Sequence, residues 1–265
     1  MIEITGSTRI YGIVADPVAQ VKTPQTMRKV FDRRGTDAVL VPFHVPTTGL
    51  ADFVQGIRSV RNFGGMVVTV PHKTSVLELC DTVSSQARAV GAVNVVRRDA
   101  DGTLAGDILD GQGFVASLKQ SGIDPKGLRV LLSGAGGAAR AIAFALAQAG
   151  IRRLAIHNRT EAAAHQILAG VNAHYPEIET ACVSNDPTGV DLVVNATSLG
   201  MRVDDALPID VSRLQSSQIV AEIIMAPALT PLLKSAQDKG CRIQYGLPML
   251  ECQIEMMADF MGVAK

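Results

Sequence analysis

The chain reads as an α/β protein in two successive parts, and three observations predict it. Residues 128–133, Leu-Arg-Val-Leu-Leu-Ser, have the length and apolar content of a buried strand and pass through a glycine turn directly into the alanine-rich helical stretch Ala138–Ala149. Residues 1–110 alternate short apolar strands with helical stretches in the same rhythm. The composition, 47% hydrophobic with 4% aromatic residues and no Trp, suits an alanine- and valine-built α/β core better than a β-only module. Strands alternating with helices imply parallel sheets joined by βαβ crossovers.

Taken in order, Ile10–Ala15, Val39–Val45 and Gly65–Val70 read as strands, and Thr23–Arg33 and Leu50–Val60 as helices. Beyond Ala149 come strand Leu154–His157, helix Glu161–Leu168, strands Asp191–Asn195 and Gln218–Ile223, and helix Thr230–Lys239. A last helix, Met249–Met261, is rich in methionine and is expected to pack back on the first part. Glycines punctuate the pattern near Asp110–Gly113, which is where a boundary is expected. The expected division is therefore residues 1–110, with 246–265 returning to them, and residues 111–245.

The glycine turn carries chemistry because of what flanks it. Gly134 permits a tight turn after the strand, Gly136 lets backbone approach a pyrophosphate, and Ala139 stands where helix and strand pack closely. The N–H groups of Gly134, Ala135, Gly136, Gly137 and Ala138, with the positive end of the helix dipole, suit a dinucleotide. A bare pattern of this kind is often only a loop; strand before and helix after make it a dinucleotide cradle. The next strand ends in His157-Asn158-Arg159-Thr160, where an acidic residue would bind the ribose hydroxyls of NAD. Arg159 instead suits a 2′-phosphate and Thr160 adds a donor, favouring NADP, with NAD still open.

Composition closes off other functions. Lys plus Arg and Asp plus Glu are 25 each, with no basic block, so nucleic acid is not an expected partner. The longest apolar stretch, Ala141–Ala147, is too short to span a bilayer, and Met1-Ile-Glu-Ile-Thr lacks the character of a secretion signal. Cys80, Cys182, Cys241 and Cys252 form no metal-like cluster and read as free thiols of a cytoplasmic protein. His44, His165 and His174 have no mutual spacing suited to a metal, and none is expected.

Three residues stand out in the first part, each with a plain alternative. Lys73 follows a buried strand and Pro71, which places it at the carboxyl edge of a sheet; it reads equally as a solvated cation opening the next helix. Asp110 stands between glycines in Gly106-Asp-Ile-Leu-Asp-Gly111, where Asp107 and Asp110 alone read as turn residues. Asn94 lies in the apolar stretch Ala89–Val96 and, if buried, needs backbone or ligand partners.

Together these stretches resemble the shikimate dehydrogenase family along nearly the whole chain. The matching motifs are Tyr11–Pro24, Val68–Lys73, Gly91–Val96, Gly106–Gly113, Gly134–Arg140, Asn158–Thr160, Asn195–Met201 and Gly246–Gln253, in order and at fitting spacing. The resemblance implies an N-terminal α/β substrate domain, a C-terminal Rossmann domain across a cleft, and a last helix returning to the first domain. It implies hydride transfer between a nicotinamide and a ring hydroxyl of shikimate or a quinate-like cyclic hydroxy acid, in a monomer or homodimer. Lys73 and Asp110 match the family's catalytic pair. Oxidising a secondary alcohol requires its oxygen to lose a proton, which a desolvated lysine can take. An adjacent Asp orients lysine and hydroxyl by charge-assisted hydrogen bonds. By the same resemblance Thr69, Asn94 and Gln253 contact the substrate, and Asn158, Arg159, Thr160, Thr197 and Gly246 contact the cofactor. Read cold, Gln253 is an ordinary helix residue.

The departures from the family pattern are as informative. Where the family carries Ser-x-Ser-Pro to hold the substrate carboxylate, this chain has Val21-Lys22-Thr23-Pro24. Losing one hydrogen bond to a charged acceptor costs about 1.5–3 kcal/mol, roughly tenfold to a hundredfold in binding. Asn-Val-Thr has become Val67-Val68-Thr69, and Asn-Thr-Asp-Gly has become Ile108-Leu109-Asp110-Gly111. A family tyrosine corresponds to Met225, with Glu222 as its acidic neighbour, and a second family arginine corresponds to Ala163, beside the negative Glu161. Two alternatives follow: the same chemistry on a substrate lacking the ring carboxylate or bearing an amino group, or a non-catalytic nicotinamide and metabolite sensor. Retention of both Lys73 and Asp110 argues against the sensor.

Overall fold

The apolar runs sort into two six-stranded sheets. The computed structural model describes residues 4–202 and 204–264. The chain divides into one unit of Met1–Leu109 with Gln253–Lys265, and a second of Asp110–Cys252.

The first unit contains β1 (Arg9–Ala15), α1 (Thr23–Arg34), β2 (Ala38–His44), α2 (Leu50–Arg58), β3 (Phe63–Val68), β4 (Thr82–Val83), α3 (Ser85–Val90), β5 (Val95–Arg98) and β6 (Leu104–Asp107). Its sheet order is β2-β1-β3-β5-β6-β4. Strand β1 runs parallel to both neighbours, and its Ile13, Val14 and Ala15 are fully buried. Edge strand β2 carries Pro42, which has no N–H to offer a further strand. The sheet is not parallel throughout, as alternation implied: β5 is antiparallel to β3 and to β6. The cause is the short turn between β5 and β6, closed by Asp99 N–H to Thr103 O and Gly102 N–H to Asp99 O, which leaves no room for a crossover. Strand β3 stops at Val68, short of the expected Val70, because Pro71 offers no N–H to extend the ladder.

The second unit contains α4 (Asp110–Gln120), β7 (Arg129–Ser133), α5 (Gly137–Gln148), β8 (Arg153–His157), α6 (Glu161–His174), β9 (Glu179–Cys182), β10 (Leu192–Asn195), β11 (Ile219–Glu222), α7 (Pro231–Asp238) and β12 (Arg242–Gln244). All pairings are parallel, in the order β12-β11-β10-β7-β8-β9. This is the doubly wound Rossmann order, with its switch point between β7 and β10. Leu131, Val193, Val220, Leu232, Leu233 and Ala236 pack together as part of its core. Each large side chain buried in this way contributes about 1.5–3 kcal/mol.

The stretch Asp110–Gly113 is corrected by the structure. Its glycines do not mark a turn; they lie inside α4. A Cβ on Gly111 would stand 2.0 Å from Ala141 O, so glycine here allows α4 to lie directly against α5. Helix α6 also outruns its expected end at Leu168, because buried Val171 continues the face of Ala164, Ile167 and Leu168. The last helix, α8 (Leu247–Phe260), returns to the first unit through its C-terminal part. Arg34 pairs there with Glu255 at 2.7 Å and Asp259 at 2.9 Å, and Arg97 lies 5.3 Å from the centre of the Phe260 ring. Among the described residues, no helix is long and apolar enough to cross a membrane.

Candidate active site

In the second unit, the carboxyl ends of β7 and β8 present the nucleotide-like features. Gly134 leaves β7 with φ +113°, a conformation that side chains rarely adopt, and donates its N–H to His157 O at 2.8 Å. Gly136 caps α5 without a side-chain hydrogen bond, and no acidic residue occupies the first turn. Nothing lies within 4 Å of where a Cβ on Gly136 or Gly137 would be. The helix therefore ends in free N–H groups at an open, positively polarised turn, which fits a pyrophosphate. Ala139 is fully buried, as expected of the third position of the motif.

At the end of β8, Asn158 turns its amide onto Thr160 O at 2.9 Å, and Arg159 and Thr160 are exposed. Among the described residues Arg159 makes no ion pair, leaving its guanidinium available to an anion. Thr197 follows β10 and bonds back to Asn195 Oδ1 through both its N–H and its hydroxyl. Gly246 follows β12, and a Cβ there would meet Ile224 O at 2.4 Å. Cradle, Asn158–Thr160, Thr197 and Gly246 all lie on the carboxyl-edge loops of one parallel sheet. That is the edge at which open α/β sheets bind ligands.

In the first unit, Lys73 is half-buried in a turn anchored at three points. Thr69 N–H reaches Val14 O at 3.1 Å, and Lys73 O accepts from Val93 N–H at 2.8 Å. Between them the buried His72 ring bonds through Nε2 to Val45 O at 2.8 Å. Lys73 thus opens no helix of its own; it sits in a turn fixed at the carboxyl ends of β1 and β3.

Asn94 lies just ahead of β5 rather than within a strand. It is 1% exposed. Its backbone N–H donates to Asp107 O, its carbonyl accepts from Val68, and its Oδ1 accepts from Leu109 N–H at 2.8 Å. Its Nδ2 has no hydrogen-bond partner in the protein. A buried amide donor left unpaired costs about 1–3 kcal/mol, which a ligand acceptor would recover.

Val21 and Thr23 are half-buried where the chain enters α1, a helix without a side-chain cap. Thr69 is half-buried beside the Lys73 turn. Gln253 is buried in the part of α8 that belongs to the first unit. The first unit therefore contains Lys73, Thr69, Asn94, Val21, Thr23 and Gln253, while Asp110 is the first residue of the second. Asp110 is buried at the start of α4 rather than in a turn, where the helix dipole stabilises a carboxylate.

A search of known proteins places these features in one family. Residues 13–96 match the family model described as the shikimate dehydrogenase substrate binding domain. The chain is 37% identical to a protein of Geobacter sulfurreducens named shikimate dehydrogenase (NADP(+)), across 95% of this chain and 92% of that one. The chain belongs to the shikimate dehydrogenase family. Among solved structures, shikimate 5-dehydrogenase from Listeria monocytogenes, in complex with shikimate and NAD, aligns with a TM-score of 0.91 at 32% identity, covering 96% of this chain and 91% of that one. A ligand-free 5-ketofructose reductase from a Gluconobacter strain aligns with a TM-score of 0.90 at 36% identity, covering 96% and 93%. Proteins similar to this chain thus include ones named for a ring acid and for a ketose, at comparable identity.

Two polar groups at this edge of the second unit lie in stretches that match the family pattern but carry no site role in the sequence reading. Asn195 and Glu222 close the apolar strands β10 and β11 and are both fully buried. The available signal was a polar residue ending each of two otherwise apolar strands.

Proposed function

We propose that the chain is an NADP-dependent oxidoreductase that interconverts a ring hydroxyl of shikimate, or of a quinate-like cyclic hydroxy acid, with its ketone. One observation carries the reading above the rest. Over nearly its full length the chain matches proteins named shikimate dehydrogenase (NADP(+)), and it keeps Lys73, Asp110 and the unpaired Asn94 amide. In this reading the enzyme works in the cytoplasm as a monomer or homodimer.

The dinucleotide, when bound, supplies the acceptor or donor of hydride. Its pyrophosphate would be held by the N–H groups of Gly134–Ala138, its adenosine end by Asn158, Arg159 and Thr160, and its nicotinamide half by Thr197 and Gly246. Arg159 with no acidic residue at position 158 favours the 2′-phosphate of NADP over the free hydroxyls of NAD. Lys73 Nζ takes the proton from the hydroxyl oxygen during oxidation and returns it during reduction. Asp110 orients the lysine ammonium and the reacting hydroxyl. Asn94 Nδ2 donates to a substrate hydroxyl, and Thr69 and Gln253 complete the polar contacts. Lys73→Ala should lower kcat by about 10²–10⁴-fold while leaving the Kd for NADPH unchanged. Turnover at the wild-type rate would overturn the assignment.

A second reading has a specific observation behind it. Val21 sets an apolar side chain where the family pattern has a hydroxyl, and a ketose reductase is among the similar structures. The substrate would then be a neutral polyhydroxy ketone, reduced by the same residues. Comparing kcat/KM for shikimate with that for 5-ketofructose separates the two. Val21→Ser should raise shikimate kcat/KM about tenfold if the missing hydroxyl is what turned the site away from a ring carboxylate; no gain argues against the neutral ketone.

A further inference from the structure

Glu222 ends β11 opposite Asn195, the end of β10, in parallel register. Its carboxylate is fully buried and accepts four hydrogen bonds. Oε2 receives Asn195 Nδ2 at 2.9 Å and Thr230 Oγ1 at 3.1 Å; Oε1 receives the N–H groups of Ile223 at 2.9 Å and Ile224 at 3.1 Å. Among the described residues no cation pairs with it. Burial pushes its pKa up, and the four donors pull it back. A buried, unpaired carboxylate is costly to retain, so its geometry calls for an explanation.

That geometry winds two loops. Asn195 Oδ1 accepts from Thr197 N–H at 3.0 Å and Thr197 Oγ1 at 2.7 Å, and Asn195 Nδ2 also donates to Leu199 O at 3.0 Å. The loop after β10 is thus wrapped on Asn195, and the loop from Ile223 to Thr230 on Glu222. Each loop then presses against a glycine. Ala196 O would lie 2.8 Å from a Cβ on Gly134, and Ile224 O would lie 2.4 Å from one on Gly246. One continuous series of contacts runs from the dinucleotide turn, through Asn195 and Glu222, to Gly246.

We propose that Glu222 is a positioning residue that, through Asn195, sets the loops bearing Thr197 and Gly246 and so seats the nicotinamide half of the dinucleotide. The inference rests on reading this edge as the dinucleotide site. Glu222→Gln keeps the volume but turns a donor toward Asn195 or toward the backbone N–H groups.

In cofactor-free Glu222→Gln, amide hydrogen exchange at Thr197, Ile223 and Ile224 should quicken at least about tenfold. The Kd for NADPH should rise about tenfold, whereas 2′-phospho-ADP-ribose, which lacks the nicotinamide, should bind as to wild type. The value of kcat should fall about a hundredfold, with a larger primary isotope effect from NADPH deuterated at the transferred position. The swap Asn195→Asp with Glu222→Gln restores one charge and one donor between the strands and should recover part of that loss. Should Glu222→Gln not fold, Glu222→Asp, which keeps the charge but shortens the reach, decides by the same exchange and binding measurements. Wild-type exchange, NADPH affinity and isotope effect in the variant would overturn the proposal. So would equal loss of NADPH and fragment binding, which marks general destabilisation. If wild-type protein binds neither NADPH nor the fragment, the dinucleotide reading itself fails and takes this inference with it.

Discussion

The edge of the second unit that we propose holds the dinucleotide is made of backbone, whereas the half-site we propose for the substrate in the first unit is made of side chains. In the second unit Gly134, Gly136 and Gly137 leave N–H groups open at the start of α5, and Gly246 admits a carbonyl at 2.4 Å from where a Cβ would lie. A side chain at Gly134 or Gly246 would meet backbone, whereas the space beside Gly136 and Gly137 is open. In the first unit Lys73, Thr69 and Asn94 keep polar groups, while Val21, Val67, Ile108 and Leu109 replace polar residues of the family pattern. Such exchanges leave the fold standing: Val67, Ile108 and Leu109 are well buried, at 4%, 2% and 4% exposure. A backbone site constrains the cofactor class, and a side-chain site lets the substrate drift on the same frame.

The contrast can be broken from either side. The largest effect is expected where backbone meets backbone. Gly111→Ala sets a Cβ 2.0 Å from Ala141 O and should destabilise the fold by about 4 kcal/mol or more, read as a lowered midpoint in urea. A midpoint unchanged from wild type would show that α4 and α5 can part without cost.

A side-chain change in the first unit should act on substrate more than on fold. Asn94→Ala removes the unpaired Nδ2 and also the acceptor of Leu109 N–H. It should raise KM roughly tenfold to a hundredfold, cost about 1–3 kcal/mol of stability, and leave the Kd for NADPH alone. Unchanged KM would remove Asn94 from the substrate site.

The smallest effect is expected at the exposed cofactor end. Arg159→Ala should reduce the preference for NADPH over NADH by about tenfold, with the difference shrinking as salt rises. Equal loss of both affinities would mean that Arg159 serves the adenine rather than the 2′-phosphate.

Much of the frame was legible because glycine and alanine act locally. The strand–turn–helix at Leu128–Ala149 needed only the apolar run, the glycines and the helix-forming alanines, and the structure differs by a residue at each of its ends. Helix α1 was legible from other local signals, Pro24 near its start and arginines in its last turn. What escaped depends on distant neighbours. Gly111 looks like turn punctuation until Ala141 is placed beside it. The antiparallel β5 and β6 hide in a chain of βαβ rhythm, because only their short connection sets their direction. The pairing of Asn195 with Glu222 is invisible in sequence, since the two lie 27 residues apart and meet only through sheet register. Within the half-sites, residue type was readable from motif, but the unpaired amide of Asn94 needed the burial and bonds of its surroundings.

The most direct measurement is nicotinamide reduction by the purified chain with shikimate and with quinate, each supplied with NADP and with NAD. Turnover of at least one acid, faster with NADP than with NAD, is the expected result. Silence with every pairing, in protein that still binds NADPH, would contradict a ring hydroxy acid as substrate and leave Val21, Val67, Ile108 and Leu109 to define a different one.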